Sequence, residues 1–318
     1  CKLTIEQICE HFEQRELSSG DSFRSFATVK TYRGYIRKWI KPRWGSLYLD
    51  EIKAVEVEAW FRRLSLARSS RAKIRSILSI LFNHACRYEL FDRNPIRFVR
   101  QGAKRRRAPD VLTAAEIKAL VDNLPMRERT LVLLAASTGL RQSELFGLKW
   151  RDVDFQHGEL YVIRSVVFGV VGRCKTESSQ KPVPLHPLLG EALLNWRRTC
   201  KFTGTDDWVF ASRLHKGRRP YWGAAILRKY IRPVAESLKI QKRIGWHTFR
   251  HTYSTLLRSV GAEFKVMQEL MRHSTLRTTM DVYTQAVAPA KHAAQAAVLR
   301  LFFPLTGLVD DWVVLGTA

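Results

Sequence analysis

His247 and His251 lie four residues apart, and Arg250 follows His247 by three, in the run His247-Thr248-Phe249-Arg250-His251. On a helix, residues spaced by three or four share a face. Two imidazoles so placed can begin a zinc site, but the metalloprotease pattern needs Glu after the first histidine, and Thr248 stands there. No carboxylate follows at a ligand-like spacing, so no metal is expected. What remains is an imidazole that can take a proton beside a guanidinium that stays charged. Alone, such a pair is more often structural than catalytic, so its weight depends on its company. That company is Arg141 after Thr138-Gly139-Leu140, Lys175 in a hairpin region, His273 after Leu270-Met271-Arg272, and Tyr283 after Asp281-Val282. The phosphate loop G-x-x-x-x-G-K-[ST], a dinucleotide-binding G-x-G-x-x-G and the nucleophile elbow G-x-S-x-G are all absent. Nucleotide hydrolysis and hydride transfer therefore have no support.

The elements that must position these residues are mostly helical. Thr4-Ile5-Glu6-Gln7 is a capping-box pattern opening a segment over 4–17. Val29, Tyr32, Ile36 and Trp39 recur at helical spacing over 26–40, and Pro42 is expected to end that helix. A third helix is expected over 55–66. In the fourth, Ile74, Ile77, Leu78, Leu81, Phe82 and Ala85 form one apolar stripe, with Asn94-Pro95 as the stop. Its opposite face carries Arg71, Lys73, Arg75 and Arg87. The run 101–109 holds Gly102, Pro109 and four consecutive cations, Lys104, Arg105, Arg106 and Arg107; it cannot build a core and is expected to be a basic linker. A second capping box, Thr113-Ala114-Ala115-Glu116, opens the next unit, and an apolar helix over 131–137 closes at Gly139. Strand signals follow over 152–155, 160–167 and 181–185, broken by turns at 157–158 and 169–172, which predicts one small antiparallel sheet. Helices return from Pro187, over 222–238, 248–260 and 264–271, with an Ala-rich amphipathic helix over 291–303. The domain reading is a helical unit over 1–100, a linker over 101–112, a second unit over 113–300 and an unassigned apolar tail over 301–318.

Charge narrows the partner. The chain of 318 residues has 54 Lys and Arg against 29 Asp and Glu, a net charge of +25. Residues 1–108 hold 24 basic and 11 acidic side chains, so 24 − 11 puts +13 in a third of the chain. Such a balance points to a polyanion, nucleic acid first and an anionic membrane surface second. Five scattered cysteines with no C-x-x-C pair fit a reducing cytoplasm rather than a disulfide framework or a zinc ribbon. No stretch approaches the length of a membrane span, and 1–17 lacks a signal-peptide pattern. Cys1 in place of Met leads us to expect sequence upstream of it.

Taken in order, Arg141, Lys175, His247-x-x-Arg250, His273 and Tyr283 resemble the active-site set of the tyrosine recombinase, or phage integrase, family. Thr138-Gly139-Leu140-Arg141-Gln142-Ser143-Glu144-Leu145, followed by Leu148-Lys149-Trp150-Arg151-Asp152-Val153-Asp154, resembles its first catalytic box. Lys175-Thr176 leading to Val183-Pro184-Leu185 resembles its lysine hairpin, and the N-terminal unit resembles its helical core-binding domain. The run Tyr35-Ile36 through Ile40, Pro42 and Trp44-Gly45 looks most like phage-type integrases. Two departures stand out: Arg272 replaces the glycine that often precedes the second histidine, and 301–318 matches nothing in the family pattern.

The resemblance implies a mainly α fold with a small antiparallel sheet, built as a SAM-like core-binding domain plus a DNA breaking-rejoining catalytic domain. It implies neither metal nor nucleotide cofactor. Without a metal, cations must neutralise the extra charge of a pentavalent phosphorus, and Arg141 and Arg250 supply planar forks that lysine does not. A tyrosine hydroxyl is a weak nucleophile at neutral pH, so His247 would take its proton and Lys175 would protonate the departing 5′ oxygen. His273 would hydrogen-bond the phosphate or leaving group, and Tyr283 would become a 3′-phosphotyrosine; Glu144 would either orient the arginine and histidine nearby or be an ordinary surface helix residue. Arg71, Lys73, Arg75 and the linker cations Lys104, Arg105, Arg106 and Arg107 would meet DNA phosphates. The implied partners are double-stranded DNA, three further copies of the chain with exchange of C-terminal tails, and an accessory directionality factor. Integration or excision of a mobile element leads; chromosome-dimer resolution, a type IB topoisomerase, and a DNA-binding protein without activity are the alternatives.

Overall fold

The computed structural model describes residues 2–18, 24–101, 109–173 and 181–272. The chain divides into two compact units, Cys1–Arg107 and Ala108–Ala318, each with its own apolar core. The basic linker cations, Lys175, His273, Tyr283 and the segments 291–303 and 301–318 lie outside the described residues.

Among the described residues the elements of the first unit are helical. Thr4 accepts a hydrogen bond from the Gln7 amide, and the Gln7 side chain accepts from the Thr4 amide, so the expected capping box opens α1 (Ile5–Phe12). Ile5, Ile8, Cys9 and Phe12 recur every three or four residues, and all are buried. α2 (Phe26–Tyr35) does not stop before Pro42. A π turn over Ile36–Ile40 carries it into α3 (Lys41–Trp44), where Pro42 sits in the first turn. Proline crowds the carbonyl four residues back and donates nothing; the wider turn ahead of it lets the helical run continue. α4 (Ala54–Arg63) and α5 (Arg68–Arg87) complete the unit. All six residues of the α5 stripe are buried. The helix ends before Asn94-Pro95: Tyr88 caps it, Glu89 turns left-handed at φ 57°, and Asn94 instead caps a short 3-10 turn.

One imidazole is sealed into this core. His84 on α5 is buried with its Nε2 2.8 Å from His11 Nδ1 and its Nδ1 3.5 Å from Glu16, with Arg87 and Tyr88 close by. Burial, reinforced by the His11 ring, holds His84 below the usual histidine range, and Glu16 only partly opposes this. The folded unit therefore binds this proton less readily than the unfolded chain does. Its contribution to stability is fully present above about pH 6.5 and is lost as pH falls from there through the lowered value of the folded state. Amide protection factors along α1 and α5, corrected for the intrinsic pH dependence of exchange, are expected to fall between pH 8 and pH 5.5, and His84→Gln to remove most of that dependence. Equal pH dependence in the parent and the variant would contradict it.

The second unit opens with α6 (Ala114–Asn123), capped reciprocally by Thr113 and Glu116, and α7 (Met126–Thr138), which is buried along most of its length. α8 (Gln142–Leu145) follows Gly139, and a 3-10 turn over Trp150–Asp152 leads into the strands. Among the described residues there are two small sheets rather than one. β1 (Val153–Asp154), β2 (Glu159–Leu160) and β5 (Val183–Pro184) form an antiparallel sheet in the order β1-β2-β5. β3 (Arg164–Val167) and β4 (Val170–Arg173) form a separate hairpin in the register Val167↔Val170. The turn is only Phe168-Gly169, both at positive φ, the two-residue geometry that matches strand twist; Gly172 lies within β4. β4 runs to within two residues of Lys175. Arg164 of β3 pairs with buried Asp152 and donates to the Gly147 carbonyl, which ties the hairpin to the turns after α8.

α9 (Pro187–Thr199), α10 (Gly223–Ile226), α11 (Arg232–Ser237), α12 (Trp246–Ser259) and α13 (Phe264–Leu270) complete the unit. α10 and α11 join through another π turn, Leu227–Ile231, with Pro233 just after it, the same arrangement as around Pro42. No helix among the described residues is long and apolar enough to cross a membrane.

Candidate active site

The chain reverses sharply at Gly139, and the reversal builds the site. α7 ends there with φ 62°, a left-handed conformation that costs glycine little. A Cβ at this position would lie 2.7 Å from the Tyr253 ring and 2.9 Å from Met271 Sδ, so the space is already taken by α12 and the end of α13. Gly139 thus joins three elements at one point. Gly139→Ala is expected to lower stability by about 1–3 kcal/mol through backbone strain and crowding, read as a lower melting temperature. An unchanged melt would show that the reversal is not set by this residue.

α12 is fixed from several sides. The Trp246 indole N–H donates to the Gly223 carbonyl at 3.0 Å, Thr248 Oγ1 donates to the Arg243 carbonyl at 2.9 Å, and Thr252 Oγ1 accepts from the Leu112 amide at 2.8 Å. This hold sets the faces of the helix. Arg250 points inward and is only 5% exposed, while His247 is exposed and its ring centroid is 6.4 Å from that of His251. The Arg250 guanidinium donates to the carbonyls of Gly139 and Met271, clamping the end of α7 to the end of α13.

Glu144 sits at the centre of the charged cluster, 3% exposed. Its Oε2 accepts from the Arg141 amide at 2.8 Å and from Arg272 Nη2 at 2.5 Å, and its Oε1 accepts from Arg141 Nη1 at 2.8 Å. Arg141 stands at the start of α8. Its side chain is 35% exposed, whereas Arg272 is 2% exposed. Among the described residues, Arg141 and Arg272 pair with this carboxylate and Arg250 lies within electrostatic reach of all three, so 3 − 1 counts two more positive charges than negative in the described cluster. Burial first, and then the Arg141 charge, pull Arg250 down to about 9; Glu144 opposes this and Arg272 adds to it. A cation disfavoured by its own surroundings is one that a bound anion would relieve.

The structure thus brings together Arg141, Glu144 and Arg250, and places His247 on the exposed face of the same helix as Arg250. Lys175, His273 and Tyr283 are not described. Arg272 entered the sequence reading only as a departure, yet it shares the carboxylate of Glu144; an arginine in a glycine position was the one signal it gave. Its φ of 50° shows that the glycine-like backbone persists beneath it.

The proposed DNA contacts on α5 also have definite places. Arg71 donates to the Phe61 carbonyl at 2.9 Å, and Arg75 donates to the carbonyls of Val99 at 2.8 Å and Arg97 at 3.2 Å. Both are partly buried and brace neighbouring segments, whereas Lys73 is exposed. Among the described residues no group of three or more His, Cys, Asp or Glu side chains is arranged to hold a metal ion.

Residues 110–288, more than half of the chain, match the phage integrase family, and the chain belongs to that family. It is 31% identical over 259 residues to a tyrosine recombinase of Pseudothermotoga lettingae, covering 79% of this chain and 84% of that protein. It is 29% identical to a XerC-like tyrosine recombinase of Caldanaerobacter subterraneus subsp. tengcongensis, covering 88% of this chain and 79% of the relative. The fold is also that of the Tn1549 transposon integrase, whose structure is in complex with transposon right-end DNA. The TM-score is 0.76 at 20% identity, covering 93% of this chain and 100% of that one. The enzyme is accordingly a site-specific DNA recombinase of the tyrosine type.

Proposed function

We propose that this recombinase cuts and rejoins DNA through a 3′-phosphotyrosine at Tyr283, and that it integrates and excises a mobile element. The observation that supports the chemistry is the cluster of Arg141, Arg250 and Arg272 about Glu144, which among the described residues carries more positive than negative charge and suits a phosphate. In this reading Arg141 and Arg250 bind the non-bridging oxygens and neutralise the charge that grows on the pentavalent phosphorus. His247 takes the proton of Tyr283 as its oxygen bonds to phosphorus. The bond from phosphorus to the 5′ oxygen breaks, and Lys175 supplies the proton to that oxygen while His273 hydrogen-bonds the phosphate. The phosphotyrosine conserves the bond energy, so a free 5′ hydroxyl from another strand can reverse the step without ATP.

Duplex DNA as partner is supported by the charge of +25 and by the DNA-bound transposon integrase of the same fold. Lys73 and the linker cations Lys104, Arg105, Arg106 and Arg107 are the proposed phosphate contacts, and binding weakens as salt rises. Strand exchange between two duplexes requires four cleavages, one per strand, which argues for four copies of the chain, with residues 291–303 as the exchanged tail. A directionality factor and a cytoplasmic location complete the reading. Chromosome-dimer resolution is the second reading, favoured by the likeness to a XerC-like relative.

The test uses two labelled duplexes carrying a site that the protein selects from a random pool, incubated with EDTA and no nucleotide. Recombinant duplexes are the expected product. Relaxation of supercoiled plasmid without any exchange between duplexes would assign the protein to the topoisomerase reading instead.

A further inference from the structure

Arg272 precedes His273, at the position where the family resemblance expects glycine. The backbone there keeps a φ of 50°, which glycine adopts freely and an arginine adopts only under strain. The side chain is nevertheless buried, and its Nη2 donates to Glu144 Oε2 at 2.5 Å. The same carboxylate holds Arg141 through both its amide and its guanidinium. Resting on the recombinase reading above, we propose that Arg272 is a positioning residue for Arg141. By sharing the negative charge of Glu144, it leaves the charge of Arg141 available to the scissile phosphate.

The physical reason is competition. Paired with Arg141 alone, Glu144 would cancel the charge that the phosphate must feel, and the phosphate would have to compete with a buried carboxylate for that guanidinium. Bridged between two guanidiniums, Glu144 still fixes the orientation of Arg141 while the cluster as a whole stays cationic. Little water surrounds Glu144 and Arg272, so screening of this balance is weak. Arg272 acts through Glu144 and needs no contact with DNA.

The test measures single-turnover formation of the covalent complex on a nicked duplex selected by the parent protein, with duplex binding and melting temperature measured in parallel. Arg272→Gly relieves the left-handed backbone and leaves Glu144 paired with Arg141, so the fold is expected to persist at the assay temperature while cleavage slows at least tenfold. Arg272→Met is expected to slow cleavage as much, and Arg272→Lys to recover at least fivefold over Met. Duplex binding is expected to stay within twofold throughout. A glycine variant that cleaves at the parent rate overturns the proposal, as do equal rates for the Lys and Met variants well below their melting temperatures. A parent protein that binds its selected duplex and forms no covalent complex overturns the recombinase reading itself, a result distinct from either.

Discussion

Arg250→Lys is expected to slow formation of the covalent complex by about 10²–10³-fold, although the charge is retained. The guanidinium spans two carbonyls, those of Gly139 and Met271, from a position that is almost fully buried. A lysine ammonium is a point charge and cannot present a planar fork to two fixed acceptors and a phosphate together. At least one buried carbonyl is then left without a donor, a loss of about 1–3 kcal/mol. The join between α7, α12 and α13 loosens at the point where charge must be delivered. Rapid-quench cleavage of a nicked duplex, beside a thermal melt, separates the two effects. A Lys variant that cleaves within a few-fold of the parent would show that charge alone suffices there.

Glu144→Gln is expected to have the largest effect on folding. The amide keeps the shape of the carboxylate and can still accept from the Arg141 backbone, but it no longer balances Arg272, which is 2% exposed. Leaving one partner of a buried ion pair uncompensated costs about 3–5 kcal/mol. For a unit of this size that corresponds to a fall in Tm of about 10 °C. Differential scanning calorimetry of the full chain measures it directly. The double variant Glu144→Gln with Arg272→Met removes both charges and is expected to regain a large part of the loss. A single variant that melts with the parent would mean that the ion pair contributes nothing.

Much of this organisation is legible in the sequence because it is local. The Thr4–Gln7 and Thr113–Glu116 boxes, the α5 stripe from Ile74 to Ala85 and the glycine after α7 each follow from residues within one or two turns. Pro42 misleads because a π turn upstream absorbs a residue normally read as a helix stop. The strands appear as one sheet in the sequence since alternation reports exposure and not pairing partner; β5 joins β2 across the hairpin β3–β4. In the proposed site, Arg141, His247 and Arg250 are legible as ordered motifs. The role of Glu144 as the carboxylate shared by Arg141 and Arg272 is not, because it depends on residues 128 positions apart. The carbonyl acceptors of Arg250 leave no trace in residue identity at all.

Covalent chemistry at Tyr283 is tested most directly on a denaturing gel. A duplex carrying the selected site, nicked beside the cleavage position so that the short 5′ strand escapes, is incubated with the protein in EDTA. The parent chain is predicted to yield a protein-linked DNA band through the 3′ phosphate, and Tyr283→Phe to bind the same duplex and yield none. A covalent band that survives in Tyr283→Phe would contradict the assignment of the nucleophile. Specific binding with no covalent band from the parent would contradict the chemistry as a whole.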